Sequence, residues 1–137
     1  MMGKTHMVAG VIVTGALCYY TPLDRLSLIC GFIGSTAPDL DLIIGQHRKL
    51  THSLLGVIIA FAICSLFNVT FAISFCANCI VHIGLDSYTK MGVPIFYPYN
   101  KKYYGFKEIK SGGVEDKYFC LIMIFLIGCI LAEIYKD

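Results

Sequence analysis

Charge is scarce in this sequence. Asp, Glu, Lys and Arg together make up 15% of its 137 residues, where a soluble domain carries about 25%. Hydrophobic residues make up 57%. That excess is too large for the core of a water-soluble domain of this length and points to lipid. The length itself allows one domain, residues 1–137. A paired cysteine framework is also missing. The cysteines number seven, an odd count, and all fall within apolar runs, which excludes a secreted disulfide scaffold. They read as small buried hydrophobes. No internal repeat or low-complexity tract is visible. A cleavable signal peptide does not fit either. The first apolar run follows a single lysine, carries His6 at its head, and lacks a small-x-small site leading into a soluble domain.

What is present is a series of apolar segments, at about Met7–Tyr20, Leu23–Ala37, Leu54–Phe67, Val69–Leu85 and Tyr118–Tyr135. None has a charge at its centre. A straight spanning helix needs about 20 residues, so these runs sit at or below the requirement. The second holds Gly31 and Gly34, as a core helix that spans incompletely would. The expected fold is all-α, an integral membrane bundle of four to five short helices. One long polar segment, Lys90–Lys117, precedes the last helix. Its prolines and glycines argue against a continuous helix there.

Alternating the helices across a bilayer sorts the polar residues. The first helix crosses and turns at "TPLDR", the second returns to "PDLD" and "HRKLTH", and the third crosses and turns at Asn68. The fourth comes back to end at "VHIGLD". All four histidines, His6, His47, His52 and His82, then lie on one side, with Asp39, Asp41 and Asp86. Nine of the eleven basic residues share that side, leaving only Arg25 and Lys136 opposite. The positive-inside rule makes it cytoplasmic.

Histidine and carboxylate are the usual ligands of zinc and related divalent ions. His82 and Asp86 are four apart and share a helix face. Pro38 is expected to hold Ala37 extended, and an extended chain would point Asp39 and Asp41 the same way. His47 and His52 flank a short basic loop, with Thr51 placed to cap the third helix. Seven ligand-type side chains exceed what one tetrahedral zinc needs. They suit two ions, or one ion with a well-built surround of supporting groups. Singly, each residue has a blander reading: His6 as an interfacial residue, Asp39 as a turn residue, "HRK" as a cytoplasmic anchor. Their coincidence from four segments on one face favours a metal or catalytic site. "CANC", Cys76–Cys79, lies inside an apolar run without a second cysteine pair and reads as packing.

The motifs "KTH", "APDLD", "HRKLTHS" and "HIGLDSYTKMGVPIFYP" resemble, in order from Lys4 to Pro98, the YdjM-type family of inner-membrane-associated metal-dependent hydrolases. That family's pattern has a His in the first helix, P-D-x-D, H-R-x-x-T-H-S, and H-x-x-x-D followed by T-x-x-G-x-x-x-x-x-P. Here these positions are His6, Asp39 with Asp41, His47 through Ser53, and His82 with Asp86, then Thr89, Gly92 and Pro98. A weaker similarity is to the His/Asp clusters of zinc-dependent phospholipase C. The resemblance implies a metal-dependent hydrolase with no assigned substrate.

The expected cofactor is a divalent metal, one or two ions, zinc first and manganese second. Asp39 or Asp41 would act as base or ligand, and Arg48 would hold a phosphate through its planar fork. Lys49 and Thr89 are weaker candidates. A site at headgroup depth makes a phospholipid or polyprenyl phosphate the natural substrate class. Membrane lipid is the expected partner, with no nucleic acid, and the oligomeric state is open. The expected location is the inner membrane, multi-pass. A transporter would place ionisable residues near the bilayer midplane, not at helix ends. A non-catalytic module stapled by a structural metal is the other alternative.

Overall fold

A computed structural model of the protein describes residues 1–21, 25–42 and 48–134. The described chain is helical: α1 (Gly3–Tyr20), α2 (Arg25–Gly34), α3 (Leu54–Ser65), α4 (Val69–Ser87) and α5 (Val114–Ile134). Two short 3-10 helices, Ala37–Leu42 and Leu50–His52, lie between α2 and α3. The apolar runs therefore do become helices. Two local expectations are corrected. Ala37 and Pro38 open a 3-10 helix instead of an extended strand, because proline suits the first turn of a helix, where its missing N–H has no partner to lose. The cap of α3 is Ser53, whose Oγ accepts from the Gly56 amide at 3.1 Å; Thr51 is turned elsewhere. Asn68 caps α4 by accepting from the Phe71 amide at 3.1 Å.

α4 is the central element, in contact with α1, α2 and α3, while α5 lies on α1. Close approach depends on missing side chains. A Cβ on Gly34 would lie 2.4 Å from the Phe75 carbonyl oxygen, and one on Gly31 would lie 2.4 Å from Ser74 Oγ. Small residues let helix backbones meet in this way. The polar segment after α4 is irregular, as expected. Val93 and Tyr104 exchange backbone hydrogen bonds at 2.8 Å, and the Tyr103 hydroxyl donates to the Arg48 carbonyl at 3.1 Å. This folds the segment over the site described below.

The distribution of polarity is inverted relative to a water-soluble protein. Among the described residues, the largest fully buried side chains include His6, His52, His82, Asn78, Asp86 and Asp116. The outer surface carries Ile58, Phe61, Ile63, Leu121, Ile122 and Phe125, and Leu66 and Phe67 at the α3–α4 turn are each 83% exposed. By length and composition, α4, with 19 residues, is the one helix among the described residues apolar and long enough to cross a membrane. At 1.5 Å per residue it covers about 28 Å, close to a hydrocarbon core of about 30 Å. α2 and α3, with 10 and 12 residues, are shorter than a straight span.

Candidate metal centre

The ends of four segments meet at one end of α4. His82 and Asp86 come from its last two turns, as their four-residue spacing requires. Asp39 comes from the first 3-10 helix and His52 from the second. One ligand atom from each of these four lies within 4.8 Å of the others. His52 Nε2 is 3.2 Å from His82 Nε2, 3.6 Å from Asp39 Oδ1 and 3.4 Å from Asp86 Oδ2. His82 Nε2 is 3.5 Å from Asp39 Oδ1 and 3.9 Å from Asp86 Oδ2. A tetrahedron of ligands at 2.0–2.1 Å from zinc has edges of about 3.3 Å. Five of the six edges, at 3.2–3.9 Å, lie at or somewhat above that value.

The imidazoles are oriented as metal ligands are. His82 donates its Nδ1–H to the Ser35 carbonyl at 2.7 Å, which leaves its Nε2 lone pair facing the cluster. His52 Nδ1 lies 3.1 Å from Thr51 Oγ1 and 3.4 Å from Asp41 Oδ2. The Thr51 hydroxyl in turn donates to Asp41. An outer acceptor on one ring nitrogen fixes the tautomer and raises the basicity of the other. Asp41 therefore supports His52 and does not join the four.

Two other expected residues are near but play different parts. His6 stacks on His82 with ring centroids 3.6 Å apart, and its Nε2 is 3.1 Å from Asp86 Oδ1. Its Nδ1 is buried without a hydrogen-bond partner. The N-terminal ammonium of Met1 also contacts Asp86. Arg48, expected to hold a phosphate, is buried. Its guanidinium sits 2.7 Å from Asp86 Oδ2 and donates to Thr89 Oγ1 and the Gly92 carbonyl, each at 2.8 Å. Both terminal nitrogens are thus engaged by protein, while Nε is buried without a hydrogen-bond partner, and the side chain faces Asp86 and not an open surface. Arg48 adopts φ +57°, a left-handed conformation that costs a non-glycine residue about 1–2 kcal/mol. Its amide donates to Asp41 Oδ2 at 2.9 Å, which helps hold it there. His47 lies outside the described residues. Lys49 is exposed beside the site. Cys76 and Cys79 pack with Val57 in the apolar core.

Burial alone would raise the Asp39 carboxyl, but the His52 and His82 imidazoles beside it outweigh that and hold the group well below the ordinary carboxylate range. Burial would lower His52, but Asp39 and Asp86 hold it above its ordinary value. Three carboxylates thus surround a pair of imidazoles, with Arg48 as the fixed side-chain countercharge. The Met1 ammonium also meets Asp86, so the fit to a divalent ion rests on the spacing of the four ligand atoms. Ser35 was not identifiable as a site residue beforehand, since it acts through its backbone carbonyl and no side-chain pattern marks it.

Fold and site together define an all-helical protein with an apolar exterior and a buried His/Asp group at one end of its central helix. The chain belongs to the YdjM inner membrane protein family, whose model matches residues 1–137. It is similar to the uncharacterized protein YvsG of Bacillus subtilis (strain 168), with 25% identity over 155 aligned residues that cover 98% of this chain and 93% of that protein. No solved structure matches the chain, and the weaker likeness to zinc-dependent phospholipase C rests on the sequence motifs alone.

Proposed function

We propose that the protein is a multi-pass inner-membrane hydrolase with a single domain, acting on a phosphoester of a lipid or polyprenyl substrate at the cytoplasmic interface. The observation that carries this reading is the tetrahedral spacing of Asp39, His52, His82 and Asp86, with both imidazoles anchored through Nδ1. Lipid surroundings are supported by the family and by the inverted polarity of the surface. The nine-to-two distribution of basic residues supports the cytoplasmic side.

When bound, a divalent ion, zinc before manganese, supplies Lewis-acid polarisation of a phosphoryl oxygen. The chain's own residues do the rest. His52, His82 and Asp86 are fully buried and hold position. Asp39, 23% exposed, is the one member of the four that reaches the surface. It orients the attacking water, whose proton passes to the departing lipid alcohol. The water oxygen bonds to phosphorus and the ester P–O bond breaks. Arg48 aligns Asp86. Exposed Lys49 meets the headgroup.

The test is a panel of phospholipids and polyprenyl phosphates in detergent, with release of phosphate and of diacylglycerol both followed on zinc- or manganese-loaded protein. Turnover of at least one class, abolished by Asp39→Asn, is expected. Absence of turnover across the panel, or an Asp39→Asn variant as active as the parent, overturns the reading. One observation favours a second reading. Four protein ligands close a tetrahedral zinc, as in structural sites. In that case Asp39→Asn loses metal and stability together and no substrate is turned over.

A further inference from the structure

An apolar groove of about 130 Å³ opens beside the metal centre. Its walls include Pro38, Thr51, Val57, Ala60, Phe75 and Cys79. Pro38 adjoins Asp39 and Thr51 adjoins His52, whose Nδ1 it meets at 3.1 Å, so one end of the groove lies a residue away from two of the ligands, though none of the four is in its wall. Cys79 and Phe75 lie about one and two helical turns below His82 on α4, and Val57 and Ala60 lie similarly below Ser53 on α3. The groove therefore runs about 10 Å away from the site, parallel to the helix that can span the bilayer.

The wall has little to offer a polar guest. The Thr51 hydroxyl is engaged with Asp41, and the Cys79 thiol donates to the Gly34 carbonyl at 3.3 Å. A glycerophospholipid would place its glycerol and ester carbonyls at this end, where those hydrogen bonds would go unmade. A hydrocarbon attached directly to the phosphate oxygen meets no such penalty. With a methylene taking roughly the ~30 Å³ share of a water, the volume holds about four to five carbons, one isoprene unit.

We infer that this groove seats the first isoprene unit of a prenyl phosphate whose phosphoryl group lies at the metal centre. The inference rests on the phosphoester reading above and narrows it to a substrate class. Ala60 sets the depth of the seat, because a larger side chain there fills it from the α3 side.

The experiment measures binding of methyl phosphate, dimethylallyl phosphate and a short-chain acylglycerol phosphate to zinc-loaded protein in nanodiscs. Each buried methylene is worth about fourfold in affinity, equivalent to about 0.8 kcal/mol. Dimethylallyl phosphate is expected to bind at least about tenfold tighter than methyl phosphate, allowing for a groove open along one side. Ala60→Phe should bring that ratio near one, and Ala60→Val should lower it part-way, with zinc content as the check on folding in both variants. The inference is overturned if methyl phosphate binds and the added carbons gain nothing. It is also overturned if the acylglycerol phosphate binds more tightly than the dimethylallyl compound, or if Ala60→Val keeps its zinc and the full ratio. If neither phosphate binds the zinc-loaded protein, the phosphoester reading falls first and takes this one with it.

Discussion

Replacing Arg48 by methionine tests how the centre is built. In the structure the guanidinium is buried, 2.7 Å from Asp86 Oδ2, and donates to Thr89 Oγ1 and the Gly92 carbonyl at 2.8 Å each. Methionine keeps much of the volume and removes all three contacts. Removing one partner of a buried ion pair costs about 3–5 kcal/mol, because the other charge stays uncompensated. Orphaning the Gly92 carbonyl adds about 1–3 kcal/mol, unless water reaches it. His6 and the Met1 ammonium still contact Asp86 and offset part of this, so the expected loss for metal-free protein is at the lower end, about 3 kcal/mol. A bound dication neutralises Asp86 directly, so the loss should shrink when zinc is present. Arg48→Lys should lie between, since it keeps the charge but not the fork. Denaturant unfolding in a fixed detergent, with and without zinc, reads both quantities. A loss below about 1 kcal/mol in metal-free protein, or one unchanged by zinc, would refute the argument that Arg48 serves Asp86.

Asp41→Asn should lower zinc affinity by about 10- to 100-fold without removing the ion at saturating zinc, because it alters the acceptor behind His52 and not a ligand; titration against a chelator of known affinity measures it. The pH response follows from His52, whose pKa is raised above 6.5. Its contacts with Asp39 and Asp86 stabilise metal-free protein below about pH 6.5 and are lost as pH rises through the raised value. Zinc needs the neutral ring, so on acidification from about pH 8 to 6 zinc affinity should fall, and chelator titration across that range checks it. For topology, cysteines placed at Ser111 and Leu66 in a cysteine-free background should label from opposite sides of the membrane, Ser111 only after permeabilisation of the inner membrane. Labelling of Ser111 from outside intact cells would reverse the assignment.

The helices were legible because apolar runs bounded by Pro38, Asn68 and the Gly112–Gly113 pair are longer than ordinary strands. His82 and Asp86 were legible as a pair because helical spacing fixes their shared face. Asp39 and His52 were legible only as members of a coincidence, since nothing local says that two 3-10 helices turn them onto one point. The separate fates of Asp39 and Asp41 were not readable. An extended strand would have pointed both the same way, whereas the 3-10 helix sends Asp39 to the cluster and Asp41 to Thr51 and the Arg48 amide. Arg48 was hard to place for a related reason. A basic residue between two histidines looks available for a phosphate, and only the fold of the segment carrying Thr89 and Gly92 shows that its terminal nitrogens are engaged. The number of membrane crossings stays harder to read, because α2 and α3 are apolar but shorter than a straight span.

Zinc-edge X-ray absorption on protein purified without chelator, beside elemental analysis, addresses the centre itself. The account predicts close to one ion per chain, bound by two imidazole nitrogens and carboxylate oxygens at about 2.0–2.2 Å. Less than about a tenth of an ion per chain, with no gain in thermal stability on adding zinc, would contradict it. So would a sulfur shell near 2.3 Å, which would move the metal to Cys76 and Cys79 and leave the His/Asp cluster without its ion.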